Sequence, residues 1–410
     1  MDSGDTAWVM MSSALVLLML PGLAFFYGGL VRRKNLLATV MQSFIIMGIV
    51  GVQWVLWGYS LAFGTDFGHV IGGFDYIGLK GVGIEPLEGQ TIPHLTFMMF
   101  QGMFAIITPA LITGAFAERM KFSTFIVFTL VWSTLVYAPV AHWVWGGGWI
   151  GDMSVLGIGL SGGALDFAGG NVVHITSGVG ALAAALVFGK RIGFGSQPME
   201  PNNLILVVLG TGLLWFGWFG FNAGSALAAD GIAASAFVAT NTAAAMGAVT
   251  WMTMAWIVQG KPSVIGAASG AVAGLVAITP AAGFVEPLPA ILIGLGAGAF
   301  SFVAVQIRLR WKFDDALDVW AVHGVSGTWG GIAVGLFATA ALGGVEGLWH
   351  GNPGQLVNQL VAIVATWVYA FAITFAILKV LDKLMGIRVT EDEESIGLDM
   401  SQHGETPYVE

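Results

Sequence analysis

Asn171-Val-Val-His174-Ile-Thr-Ser177-Gly178 and Trp320-Ala-Val-His323-Gly-Val-Ser326-Gly327 carry one pattern, V-H-x-x-S-G, inside two long apolar segments. Each is preceded by an aspartate, Asp166 and Asp318. A spanning helix needs about 20 mostly apolar residues. The chain offers eleven such stretches: 6–31, 36–63, 93–117, 122–144, 167–189, 202–226, 232–258, 263–280, 288–307, 319–342 and 354–381. The histidine segments fall in the fifth and the tenth. Five crossings apart, they run in opposite directions. Stretches one to five and six to ten then read as inverted repeats, the plan of many transporters, with the eleventh as an extra helix.

The basic residues test this count. They fall at Arg32, Arg33 and Lys34; Lys80; Arg119 and Lys121; Lys190 and Arg191; Lys261; Arg308, Arg310 and Lys312; and Lys379, Lys383 and Arg388. Every group except Lys80 follows an odd-numbered stretch, so 14 of the 15 share one side. The positive-inside rule makes that side cytoplasmic. A missed or invented span would scramble the alternation. The expected architecture is an all-α polytopic membrane protein with 11 transmembrane helices, N-terminus outside and C-terminus inside. Its transmembrane domain covers 1–388, with repeat one about 6–190, repeat two about 202–342 and the extra helix about 354–383. A cytoplasmic C-terminal regulatory tail follows over 389–410. The start, MDSGDTAWVMM, has no basic region before its first apolar stretch and reads as a span that stays.

Composition agrees. Only 10% of the 410 residues are charged and 56% are hydrophobic, against roughly 25% charged in soluble domains. Such a chain cannot clothe a soluble enzyme in a polar skin. Without a basic stripe it has no footprint for nucleic acid. Sixty glycines beside 27 Phe and 16 Trp do not describe a disordered chain, and Gly lets membrane helices approach closely. The lack of cysteine removes disulfides and thiolate metal sites.

The acids complement the bases. Asp2, Asp5, Asp66, Asp75, Glu85, Glu88, Asp152, Asp230, Glu286 and Glu346 occupy the expected outer loops. Such a face would concentrate cations near it, or acids simply collect where bases are excluded. The tail from 390 holds seven acids and no Lys or Arg, and without it the formal charge moves from -9 to -2. It reads either as a solubilising end or as a docking and regulatory segment.

Ionisable groups inside spans are costly and functional by default. His174 lies eight residues after Asp166, about 12 Å along a helix, near the bilayer middle. His323 lies several residues into its own span. Either ring alone reads as one satisfied by a neighbouring carbonyl, whereas two in matched repeats point to a functional pair. A neutral imidazole pair offers a donor and an acceptor in an apolar path, so it can pass hydrogen-bonding neutral molecules or relay protons. No P-loop, G-x-S-x-G or H-E-x-x-H accompanies them, so no enzyme is expected. Two mid-span histidines would serve one haem at most, so neither metal nor cofactor is expected. Trp8, Trp143, Trp145 and Trp149 read as an interfacial belt, or as ring faces for a cation in a vestibule. Phe100, Phe104, Phe219 and Phe221 read on periodicity as packing. Ser225 could hydrogen-bond a cation or merely its own backbone.

Seven strings carry more than chemistry: PGLAFFYGGLVRRKN (21–35), FQGMFAIITPALITGAFAERMKFS (100–123), APVAHWVWGGGW (138–149), DFAGGNVVHITSG (166–178), WFGWFGFNAGSA (215–226), DDALDVWAVHGVSG (314–327) and GLDMSQHGETPY (397–408). Through them the chain resembles, essentially end to end, the ammonium transporter (Amt/Mep/Rh) superfamily, specifically prokaryotic Amt proteins. The resemblance departs in detail only between Trp145 and Asp166.

That resemblance implies a multi-pass cell-membrane protein that recruits ammonium as a cation and conducts ammonia. Trp145, Phe104 and Ser225, with Phe100 and Gln101 beside them, are similar to the outer recruitment site. Phe104 and Phe221 resemble the pair closing the outer mouth. His174 and His323 resemble the twin histidines of the pore. Asp166 resembles a buried aspartate that shapes the outer site, and Asp318 the aspartate before the second histidine. The resemblance also implies ammonium and methylammonium as substrates, a homotrimer in the lipid bilayer, and a PII-type (GlnK class) signal protein at the cytoplasmic face. Proton cotransfer through the histidines is expected. An ammonium sensor signalling through cytoplasmic partners and a Rh-like gas channel are the alternatives.

Overall fold

A bilayer core offers no partner to an open backbone N–H or C=O, so so apolar a chain satisfies its backbone within helices. The computed structural model describes residues 1–158 and 160–408. The helices run α1 (Ser3–Leu30), α2 (Arg33–Phe63), α3 (His94–Phe116), α4 (Phe122–Trp145), α5 (Gly170–Phe188), α6 (Leu204–Ala226), α7 (Gly231–Gln259), α8 (Val264–Ile278), α9 (Pro287–Trp311), α10 (320–337) and α11 (Pro353–Met385). Among the described residues, nine are long and apolar enough to cross a membrane, the exceptions being α8 and α10. The 15 residues of α8 rise only about 22 Å. Tightened turns carry the chain on to Val285. The helix α10 joins a π-helical segment, Trp320–Val325, to an α-helix, Ser326–Phe337. One feature departs from an all-α reading: Asp66–Phe67 pairs antiparallel with Ile71–Gly72 in a small hairpin between α2 and α3.

The packing repeats itself. In the first half α1 touches α2, α3 touches α1 and α2, and α5 touches α3. In the second half α6 touches α7, α8 touches α6 and α7, and α10 touches α8. The pairs α2–α4 and α7–α9 also correspond. The halves meet at α1–α6 and at α5–α10, while α11 lies against α4, α5 and α10. Glycine makes these contacts close. On α8, a Cβ at Gly270 or Gly274 would run into the backbone of α7 at Gly247 or Ala243. On α9, Gly294 and Gly298 meet those same two α7 residues. Backbones that touch gain dispersion contacts that lipid cannot replace.

The repeated motif is itself a crossing point. A Cβ on Gly178 of α5 would strike the backbone of His323 and Gly324 on α10. Reciprocally, a Cβ on Gly327 of α10 would lie 3.0 Å from His174 Cβ on α5. Each Ser-Gly therefore packs on the other helix's histidine turn, and both histidine turns are π-helical.

The tail is folded. A capping box of Thr390 and Glu393 starts α12 (Glu391–Ile396). Asp399 accepts from Ala38 N at 2.8 Å, and Leu398 N donates to Asn35 Oδ1 at 2.8 Å, on the first turns of α2. Phe122 N donates to Gln402 Oε1 at 3.2 Å, at the start of α4. Residues 409–410 of the expected tail lie outside the described residues.

Candidate functional site

Three helices each present one stripe, and the stripes line a succession of compartments. The α3 stripe is Phe97, Gln101, Phe104, Ile107 and Leu111. The α6 stripe runs Leu214, Trp218, Phe221 and Ser225. The α1 stripe runs Met19, Leu23, Phe26 and Leu30. Steps of three and four residues keep each set on one helix face.

At the end of the bundle that carries the hairpin, a pocket of about 240 Å³ is lined by Gln101, Phe104, Trp145, Phe167 and Ser225 among others. Phe104 and Trp145 meet edge-on with centroids 6.0 Å apart. Trp145 Nε1 donates to the Asp166 carbonyl at 2.9 Å, which fixes the ring. Ser225 Oγ donates to Phe221 O at 2.8 Å, so its lone pairs remain free to accept. Gln101 Oε1 is buried without a hydrogen-bond partner among the described residues, which leaves an acceptor at the pocket. Phe100 does not line this pocket; it backs Phe104 with centroids 4.9 Å apart.

Phe104 and Phe221 close the floor, their centroids 4.5 Å apart. Beyond them lies a cavity of about 10 Å³, room for about one water-sized molecule. Its polar lining is His174 and His323, among side chains such as Leu111, Trp218, Phe221 and Val272. Both rings are buried, and their Nδ1 atoms stand 3.3 Å apart, a contact one proton can bridge. His174 is stacked between neighbours, 5.4 Å from Trp218, 5.8 Å from Phe221 and 5.4 Å from His323. Its Nε2 has no partner among the described residues. At the opposite, basic end a vestibule of about 580 Å³ opens between Leu30, Lys190, Arg191, Arg308, Lys312 and Asp318.

Asp166 caps α5. Its Oδ1 accepts from the N–H groups of Gly169 and Gly170, and its Oδ2 from Asn171 and Val172. The sequence pairing of Asp166 with Asp318 does not survive the geometry. Asp315 Oδ2 accepts from Trp320 N at 2.7 Å, the same five-residue step that joins Asp166 Oδ2 to Asn171 N. Asp315 also precedes His323 by eight residues, as Asp166 precedes His174. Asp318 has a left-handed φ of 59° and pairs with Arg308 at 2.5 Å. The eight-residue spacing was the signal that could have found Asp315. Burial and the neighbouring Asp318 charge push the Asp315 carboxyl up to about 6. Trp218 was missed as well. Its three- and four-residue steps to Phe221 and Leu214 were the available sign.

Beside the vestibule, charge is locked rather than free. Glu118 accepts from Arg32 N and Nε at 2.7 Å each and pairs with Arg191 at 3.3 Å. Arg191 also grips Asp314 through two 2.9 Å bonds. Glu394 of α12 accepts from Ile192 N and from Arg388, which donates in turn to Phe188 O and Lys190 O. Burial pushes the Glu118 and Asp314 carboxyls up. Their arginines outweigh it and hold both below the ordinary value. Depressed carboxylates stabilise the fold above the unfolded value near 4 and lose that contribution as pH falls below it. Asp314→Asn should cost about 3 kcal/mol and flatten the acid limb of a Tm-against-pH curve in detergent. An acid limb as steep as in the wild type would contradict this.

The described residues hold no group of three or more His, Cys, Asp or Glu suited to a metal. Comparison with known proteins places the arrangement. A model of the Ammonium Transporter Family matches residues 7–408. The ammonium transporter of Bacillus subtilis is 53% identical over 412 residues, covering 100% of this chain and 99% of that one. The crystal structure of Candida albicans Mep2 superposes with a TM-score of 0.90 at 37% identity, covering 100% of this chain and 93% of that one. A structure named Sensor Amt Protein gives a TM-score of 0.89 at 30% identity, covering 98% of each chain. The pocket, the phenylalanine pair and the buried histidines thus sit in a chain that belongs to the ammonium transporter family of multi-pass membrane proteins.

Proposed function

We propose that this transporter recruits ammonium at the Trp145 pocket, strips its proton near the Phe104–Phe221 pair, and conducts ammonia past His174 and His323. The observation that carries the reading is the His174–His323 contact inside a cavity sized for one small molecule. A bare cation there would shed its hydration for two imidazoles, a steep desolvation cost. Ammonium escapes that cost by leaving its proton behind; potassium has no such route. In the outer pocket the cation is held by the faces of Trp145 and Phe104 and by the acceptors Ser225 Oγ and Gln101 Oε1. The proton follows through the bridged Nδ1 atoms, so net charge moves.

The membrane reading is eleven spans, with α8 and α10 crossing beside the nine longer helices, N-terminus outside and C-terminus inside. The two five-helix halves are inverted repeats. Methylammonium is carried by the same route. The protein works as a homotrimer with one pore per subunit, and its basic face and tail receive a PII-type (GlnK class) signal protein. A sensor role is the second reading, favoured by the likeness to the Sensor Amt Protein. A Rh-like gas channel would carry ammonia with no current.

Proteoliposomes decide among these. An ammonium gradient is expected to evoke a current that equimolar potassium neither carries nor blocks. Confirmed uptake with no current would overturn proton cotransfer and favour the gas channel. Ligand-dependent partner binding with negligible uptake would favour the sensor.

A further inference from the structure

The loop between α2 and α3 does more than cover the outer end. Its hairpin is fastened to the last turn of α4, the turn that carries Trp145. His142 is fully buried there. Its Nδ1 lies 3.0 Å from the Ala62 carbonyl, and its Nε2 lies 2.9 Å from Asp66 Oδ1. Trp143 Nε1 donates to Val70 O at 2.8 Å, and Trp149 N donates to His69 O at 3.2 Å. Trp145 itself is tied to Asp166 O, just ahead of α5. The end of α4 is therefore held by two separate elements. Its rotation sets where the Trp145 ring stands against Phe104. Gly146 marks how tight the first grip is, because a Cβ there would collide with the Ala62 carbonyl.

Both partners of His142 are acceptors only. An imidazole with one N–H donates to one of them; an imidazolium donates to both, and the bond to Asp66 becomes charge-assisted. The other charged groups at this cluster are few. Asp66 Oδ2 lies 3.0 Å from Nδ1 of the half-exposed His69. The charge of His69 reaches Asp152, and Asp75 accepts from Thr65 N at 2.9 Å at the base of the hairpin. The hydrogen bond from His142 holds the Asp66 carboxyl below its ordinary value, so Asp66 is a charged acceptor at neutral pH.

We propose that His142 is a positioning residue for ammonium recruitment. Gripped by Ala62 and Asp66, it sets the Trp145 ring against Phe104. The proposal rests on the reading of the Trp145 pocket as the recruitment site. Loosening that grip should then weaken outer affinity while leaving conduction past the Phe104–Phe221 pair unchanged.

Methylammonium is the probe, and its uptake KM and Vmax are measured in proteoliposomes held at one pH on both sides. His142→Gln and Asp66→Asn are each expected to raise KM about tenfold, the low end for losing one hydrogen bond to a charged group, with Vmax held within about twofold. Trp145→Leu should raise KM as well. A Trp145→Leu KM equal to wild type would overturn the recruitment reading itself. A raised Trp145→Leu KM alongside wild-type KM in both cluster variants would overturn only the role of His142. Effects on Vmax alone would do the same. Asp66 is partly exposed and its Asn variant keeps the shape, so the test stands if His142→Gln fails to assemble.

Discussion

His174→Ala is expected to cut ammonium flux by about 100-fold, the lower range for removing a group that handles a proton. The flux that survives should lose its discrimination against potassium. The methyl group cannot bridge to His323 Nδ1, now 3.3 Å from its partner nitrogen. The cluster of Trp218, His174 and Phe221 loses the ring that both others pack against on the His323 side. A cavity of about 10 Å³ grows by the volume of an imidazole and admits several waters where one fitted. A hydrated path removes the desolvation barrier that excludes potassium. Uptake of labelled methylammonium together with potassium-evoked current measures both halves of the prediction. A variant with unchanged transport and selectivity would remove His174 from the pore.

The second large effect is steric. Gly178→Ala places a Cβ against the backbone of His323 and Gly324. Backbone cannot rotate aside as a side chain can, so α5 and α10 must separate. Overpacking of this kind costs about 1–3 kcal/mol. The separation falls on the histidine turns, so the Nδ1 contact should lengthen and transport should drop with the melting temperature. Gly327→Ala meets His174 Cβ at 3.0 Å and Ile175 N at 3.3 Å. That is tighter than ordinary contact but can be relieved by a small shift. The expected order in both Tm and uptake is wild type, then Gly327→Ala, then Gly178→Ala. A Gly178→Ala protein with wild-type Tm and flux would show that the crossing is looser than its glycines suggest.

Much of the helical plan was legible because apolar length is a one-dimensional property. Most helix ends fall within a few residues of the hydrophobic stretches, as with 122–144 against Phe122–Trp145 and 232–258 against Gly231–Gln259. The tenth stretch was overestimated, 319–342 against 320–337. Its last residues enter a separate short helix, Ala340–Gly343, capped by Thr339. Hydropathy does not see that break. The hairpin at 66–72 was also invisible, because two residues per strand leave no alternation to count.

The candidate site was legible in a different way. Resemblance named its residues, but not what holds them. Asp318 resembles the aspartate before the second histidine, whereas the cap belongs to Asp315, whose buried carboxylate reaches Trp320 N. Phe100 was grouped with the pocket and turns out to stand behind Phe104. The tail read equally as solvated or docked. Its acids become anchors only because Arg388 and Ile192 N meet Glu394, and Ala38 N meets Asp399. Ile192 and Ala38 lie far from the tail in sequence, so no local pattern could report those two contacts.

What the sequence by itself determined is the class of protein and the plan of its spans. With 10% charge, the chain must bury its backbone in helices, and charge placement along them orders the loops. It also singled out His174 and His323, since ionisable groups in apolar segments are too costly to be casual. Only the tertiary structure decided that those two rings touch, that Trp218 and Phe221 stack on one of them, and that the space beside them holds about one small molecule. Those outcomes depend on how closely α5 and α10 approach. That approach is set by Gly178 and Gly327, each against the other helix, where the absence of a side chain matters only once the partner backbone is in place.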